Sequence, residues 1–156
     1  MMFIQFRILV LVSLLIACFF VVPTVFAGDL VMARSQQAFP EAMLTLQDEI
    51  RNHGYKVSRV QRVDIGLTQM GFKTDKYRVV FFGKPDEIKK LAASHPELTP
   101  YLPLKIAIFA EQNQTLVVTT SPRTLGEFFP DLNLDPILDK WTQDLDSIFN
   151  AVRIKE

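Results

Sequence analysis

Cysteine is all but missing. The one cysteine, Cys18, lies in an apolar run near the N-terminus, so the rest of the chain offers no internal disulfide, no thiolate nucleophile and no thiolate metal site. Histidine is nearly as scarce. His53 and His95 stand alone, too few for the clusters of imidazole and carboxylate that hold transition metals. Each has a local use instead: His53 falls in the last turn of a helix, where a partly charged imidazole suits the dipole, and His95 precedes Pro96 in a loop. Net charge is lacking as well, with 17 basic against 17 acidic residues. No basic run supplies the counterion release on which nucleic-acid binding depends. There is no Gly-x-Ser-x-Gly elbow for a serine hydrolase, and Ser121 before Pro122 reads as a helix cap. No Gly-rich loop wraps a phosphate, and no motif asks for a cofactor. These gaps disfavour enzymes: no acid-base pair or nucleophile rises from the sequence.

What is present begins with a leader. Arg7 precedes an apolar stretch from Ile8 to Val22, Pro23 breaks it, and Val25 and Ala27 stand three residues and one residue before Gly28. That is the anatomy of a secretory signal peptide cleaved after Ala27. The expected division is therefore a signal peptide over 1–27 and a single domain over 28–156, exported to the periplasm or secreted. Two alternatives stay open. Residues 8–26 approach the ~20 apolar residues that span a bilayer, which would make a retained membrane anchor. Leu15-Ile16-Ala17-Cys18 looks like the lipobox of bacterial lipoproteins, which would anchor the chain through a lipid on Cys18. Membrane association is expected only in those two cases.

The remainder reads as an ordinary globular core. Leu30 to Arg34 is a short strand. Pro40 and Glu41 open a helix whose Met43, Leu46 and Ile50 recur at helical spacing until Gly54 stops it. Tyr55 to Ile65 reads as a strand with a bulge or break, because its apolar residues lose the period of two. Asp64 is placed to cap a short helical turn ending at Gly71. In Tyr77 to Gly83, Tyr77, Val79 and Phe81 fall on one face and Val80 and Phe82 on the other, the pattern of a central strand covered on both sides. Pro85, Asp86 and Glu87 open a second helix, and Pro96, Pro100 and Pro103 predict an extended crossing loop. Leu104 to Ala110 and Thr115 to Thr120 form a hairpin. A helix follows Ser121, and Asp135-Pro136 opens a long last one with Trp141, Leu145, Ile148, Phe149 and Val152 on one stripe. The fold class expected is α+β, a mostly antiparallel sheet with helices on one face and a long C-terminal helix.

The run Val79-Val80-Phe81-Phe82-Gly83-Lys84-Pro85, followed by Leu102-Pro103-Leu104-Lys105-Ile106, resembles the domain-of-unknown-function family 302 of bacteria and archaea, over roughly residues 35–152. The resemblance implies a fold similar to the TATA-binding-protein-like class and a possible homodimer, and it implies no established activity. In that family a histidine often follows the second strand, an asparagine sits in the Phe-Gly-Asn-Pro turn and an acidic residue precedes Leu-Pro-Leu-Lys. Here those places hold Ile65, Lys84 and Tyr101. Of the family's shared polar groups, Lys105 and the Gly83-Pro85 turn remain.

Candidate ligand-binding residues are accordingly Lys105, Arg78, Tyr101, Gly83 and Lys84. Lys105 opens an apolar β-run: pointing inward it would need Asp64 or Glu111 as a partner, and pointing outward it is an edge charge. Gly83-Lys84-Pro85 at a strand-to-helix turn could meet a phosphate, but a turn glycine beside a solvent-facing lysine explains it as well. Lys105, Arg78 and Tyr101 gathered in one deep cleft would argue for an enzyme. The favoured reading is a non-catalytic binding module for a small or partly apolar ligand held between the sheet and the long C-terminal helix, lined by some of the chain's phenylalanines. The alternative is a dimeric or accessory interaction protein of the cell envelope.

Overall fold

The computed structural model describes residues 30–154; the leader and Cys18 lie outside them. Five strands form one sheet: β1 (Leu30–Ser35), β2 (Lys56–Arg62), β3 (Tyr77–Gly83), β4 (Leu104–Glu111) and β5 (Gln114–Thr120). Their spatial order is β1-β5-β4-β3-β2 and every neighbouring pair is antiparallel. Between and after them come α1 (Phe39–Asn52), α2 (Val63–Gln69), α3 (Pro85–Ser94), α4 (Arg123–Phe128) and α5 (Asp135–Ile154).

Alternation along the strands decides which face is buried. Ala33, Val80, Phe82, Ile106, Ile108 and Val117 share one face, and none exposes more than 4% of its surface. Against them lie Ala42, Leu46 and Ile50 of α1 and the α5 stripe of Leu138, Trp141, Leu145, Ile148, Phe149 and Val152. Burial of that apolar area, at roughly 25 cal/mol per Å², is what binds helices to sheet. Pro40 at the start of α1 loses no hydrogen bond there, and Gly54, at φ 77°, ends the helix in a conformation that a side chain would disfavour.

Several sequence expectations are corrected. β2 does contain the expected irregularity, a register shift between Val57 and Arg59, and Ser58 at the bulge donates its hydroxyl to the Phe81 carbonyl at 3.2 Å. The strand nevertheless stops at Arg62, and Val63 to Ile65 belong to α2. Asp64 is not a cap. It lies inside the first turn of α2, whose N-cap is Arg62, and its carboxylate binds Arg78. The proline segment is not an extended crossing; Pro96–Tyr101 winds as a 3-10 helix, because a proline φ near −65° suits that helix as well as an extended chain. Ser121 is not a side-chain cap either: Pro122 holds the N-cap position, and the Ser121 carbonyl, not its hydroxyl, accepts the Thr124 amide. Finally, β3 is interior, flanked by β2 and β4, but it is covered on one side only. Val79 and Phe81 remain partly exposed on the other.

Candidate functional site

The five residues singled out from sequence separate into three places. Tyr101 and Lys105 come together. They border a cleft of about 220 Å³ at the end of the sheet, between the 3-10 turn that carries Tyr101 and helix α4, with Leu104, Thr119, Ser121 and Phe128 around them. The sequence puts them there simply: Tyr101 ends the 3-10 turn, cap and proline follow, and Lys105 is the second residue of β4. Tyr101 is held by an edge-on contact with Phe129, ring centres 5.6 Å apart. Phe128, one residue earlier, is left 65% exposed at the cleft. Lys105 points away from the helix layer and is exposed. It is not an edge charge, since β4 is the middle strand. Nor does it have the partners considered for it, because Glu111 binds Arg34 and Asp64 binds Arg78. Among the described residues the Lys105 ammonium and the Ser121 hydroxyl have no hydrogen-bond partner in the protein, so two donors stand free beside apolar walls.

Arg78 is elsewhere. It pairs three residues away from Phe81, the neighbour of Lys105 on β3, and it lies on the helix side of the sheet. There its guanidinium meets the Asp64 carboxylate, donates to the Tyr77 carbonyl at 2.9 Å and stands 5.8 Å from the Phe39 ring centre. With its side chain 14% exposed, Arg78 ties α2 and α1 to β3 and does not reach the cleft. The three-residue cleft that would have argued for an enzyme is not formed.

Gly83 and Lys84 belong to a third place. Gly83 is closely approached: a Cβ there would fall 2.3 Å from Cδ1 at the tip of the Ile88 side chain and 3.5 Å from Pro103 Cβ. Lys84 is not solvent-facing. It folds back so that its Nζ stands 4.5 Å above the Tyr55 ring centre, within a polar cluster that sequence reasoning missed. Tyr55 donates to Asp144 at 2.5 Å, Lys140 donates to the same carboxylate at 2.8 Å, and the Trp141 indole donates to Glu87 at 2.8 Å. The signal available was slight: Lys140 and Asp144 flank Trp141 at helical spacing, on the border of the buried stripe. With Asp86 and Glu87 in the first turn of α3, the turn presents carboxylates where a phosphate would have to sit.

The cluster shifts its own titrations. Burial pushes the Asp144 carboxyl up, but the hydrogen bonds from Lys140 and Tyr55 and the charges of Lys140 and Lys84 outweigh it and hold the group below the ordinary carboxylate range. Burial, then the bond to Asp144 and the nearby carboxylate charges, raise the Tyr55 phenol. Lys84 is lowered by burial and by neighbouring Lys140, while Lys140 is raised by its bond to Asp144. Asp64 is lowered chiefly by its hydrogen bond from Arg78. A carboxylate with a depressed folded value stabilises the fold above its unfolded value, near pH 4, and that contribution is lost as pH falls through the folded value. The melting temperature is thus expected to fall as the pH drops below about 4, and Asp64→Asn with Asp144→Asn to flatten the dependence. Equal slopes for wild type and double variant in calorimetry from neutral to acid pH would refute it.

Among the described residues no three His, Cys, Asp or Glu side chains come together as a metal-binding group, and no helix is long and apolar enough to cross a membrane. The space between α5 and the sheet, expected to hold a ligand, is filled by Phe82, Ile106, Ile148 and Phe149, each at most 1% exposed. Of the phenylalanines, Phe82 and Phe149 are core, and Phe128 lines the cleft.

The architecture defines a small α+β domain, an antiparallel five-stranded sheet backed by helices on one face. The chain belongs to the family described as domain of unknown function DUF302, whose model matches residues 31–152. A solved structure shares the fold: the uncharacterized conserved protein DUF302 from Bacillus stearothermophilus is 17% identical, with a TM-score of 0.72 over 80% of this chain and 98% of that one. No curated protein matches the chain.

Proposed function

We propose that this domain is a non-catalytic binding module that works outside the cytoplasm and takes a small, partly apolar ligand in the cleft between Tyr101 and Phe128. The observation that carries the reading is the pairing of two solvent-reached donors with no partner among the described residues, Lys105 Nζ and Ser121 Oγ, with the apolar walls of one cleft. A ligand with an apolar body and a hydrogen-bond-accepting end answers both. At about 220 Å³, the cleft is smaller than the roughly 300–1,000 Å³ of sites for drug-sized molecules, which favours single-ring or short-chain compounds over tetrapyrroles. The placement outside the cytoplasm rests on the leader pattern of Arg7, the Ile8 to Val22 run and Ala27.

Thermal-shift screening with short-chain lipids, aromatic metabolites and tetrapyrroles tests the binding reading. A binder stabilises the native state by mass action, about 2.7 kcal/mol at a hundredfold excess over Kd. The expected result is a stabiliser among the small amphipathic compounds whose effect disappears in Lys105→Ala and Phe128→Ser. No stabiliser at all, or one indifferent to both substitutions, would end this reading. For the location, mass spectrometry of the recovered N-terminus should find Gly28; a chain starting at Met1 in the cytosol would contradict it.

A further inference from the structure

We propose that the groove between β2, the start of α3 and Pro103 is a second binding site, and that it takes a free medium-chain amphiphile with an anionic head. The inference is independent of the Tyr101–Phe128 cleft. It starts from two sequence stretches that the cleft leaves unused, Phe82-Gly83-Lys84-Pro85 and Leu102-Pro103. In the fold they touch, since a Cβ at Gly83 would stand 3.5 Å from Pro103 Cβ. Beside that contact lies a groove of about 630 Å³, walled by Val57, Pro85, Ile88 and Pro103 and bordered by Lys56 and Lys89. Its volume falls within the roughly 300–1,000 Å³ of small-molecule sites.

Charge decides what the groove accepts. Lys56 and Lys89 are exposed, and neither forms an ion pair among the described residues. No carboxylate lines the groove. Other grooves mix their charges: Asp86 and Glu87 stand with Lys90 between α3 and the start of α5, and Asp64 and Asp75 stand with Lys76 beside α2. The first turn of α3 thus gives its acids to one groove and Pro85, with Ile88 and Lys89 a turn later, to the other. β2 adds Arg59 and Arg62 and no acid. The Ser58 hydroxyl is taken by the Phe81 carbonyl, so the two ammonium groups are the free side-chain donors of the groove. Lysine on an edge strand commonly guards it against pairing with another chain, which accounts for Lys56 alone. Lys89 stands on a helix and borders the same groove. Walls of low polarity under charges of one sign concentrate ions of the other. An alkyl chain covers the four apolar side chains, and its anionic head meets the ammonium groups in charge-assisted hydrogen bonds.

Isothermal titration calorimetry with octanoate tests the proposal on the chain as recovered from its producing cells and on its Lys105→Ala, Phe128→Ser double variant, in which the cleft is altered and the groove is not. The expected result is saturable binding that persists, one to one, in the double variant. Octanol, the same chain without the charge, should bind at least about tenfold more weakly. Lys56→Ala and Lys89→Ala, added singly to the double variant, should each weaken octanoate by roughly tenfold, and Lys89→Glu should abolish it. An unchanged melting temperature without octanoate shows that each variant is folded. No saturable binding up to about 3 mM would overturn the proposal, as would equal affinity for octanol or indifference to both lysine substitutions. Binding lost in the double variant would place the anion in the cleft and overturn it. Adsorption to phosphatidylglycerol vesicles with no binding of free octanoate would assign the lysines to a membrane surface and overturn it as well.

Discussion

Ile148→Asp is expected to leave the domain unfolded at room temperature. Ile148 is 0% exposed, about two-thirds of the way along α5 and within the core between helix and sheet. Removing the isoleucine costs about 2–5 kcal/mol in lost transfer and cavity terms. The aspartate then stands within the buried apolar cluster, at a penalty of several more kcal/mol whether it stays charged or takes up a proton. Set against a total stability of roughly 5–15 kcal/mol, the sum is decisive. Far-UV circular dichroism and a melting curve check it. A cooperative transition at the wild-type temperature would show that α5 is an appendage and that Ile148 is no part of the core.

Trp141→Ala is the second large effect, at about 3–5 kcal/mol. Trp141 is 2% exposed, so truncation opens a cavity between α5 and the sheet. The same change strips Glu87 of the indole N–H that it holds at 2.8 Å, loosening α3 from α5. Urea denaturation followed by circular dichroism gives the magnitude, and Glu87→Gln separates the two contributions. Glutamine keeps an acceptor for the indole, so that variant should lose no more than about 1 kcal/mol. A Trp141→Ala protein within 1 kcal/mol of wild type would mean that the cavity collapses or was never filled.

Elements with strong local signals were legible in the sequence. α1 and α5 announced themselves through apolar spacing and through Pro40, Gly54 and Asp135-Pro136; the β4–β5 hairpin did so through its polar Gln112-Asn113 turn. Where local chemistry was ambiguous, the reading slipped. Val63 and Ile65 are β-branched and look like strand, yet they lie in α2, beside the Asp64–Arg78 pair that joins it to β3. The prolines of 96–101 fit an extended chain or a 3-10 turn equally well, and packing chose the turn.

The candidate site was legible in the same partial way. Tyr101 and Lys105 are four residues apart and meet in the cleft. Arg78 is a charge within a strand like Lys105, but its face of the sheet depends on a register that only the folded partners set. The Tyr55–Asp144 bond joins residues 89 positions apart. Nothing near either residue marks the other, so local sequence makes Lys84, which sits over Tyr55, look like a solvent-facing turn lysine.

The pairing of β1 with β5, Leu30 beside Thr120 and Ser35 beside Thr115, also governs when the chain can fold. The first of the described strands has its neighbour about three-quarters of the way along the polypeptide, and its apolar side chains wait longer still for α5. Such distant closure makes folding slow relative to chains rich in local contacts. Until β5 has been made, β1 therefore has no strand among the described residues to pair with.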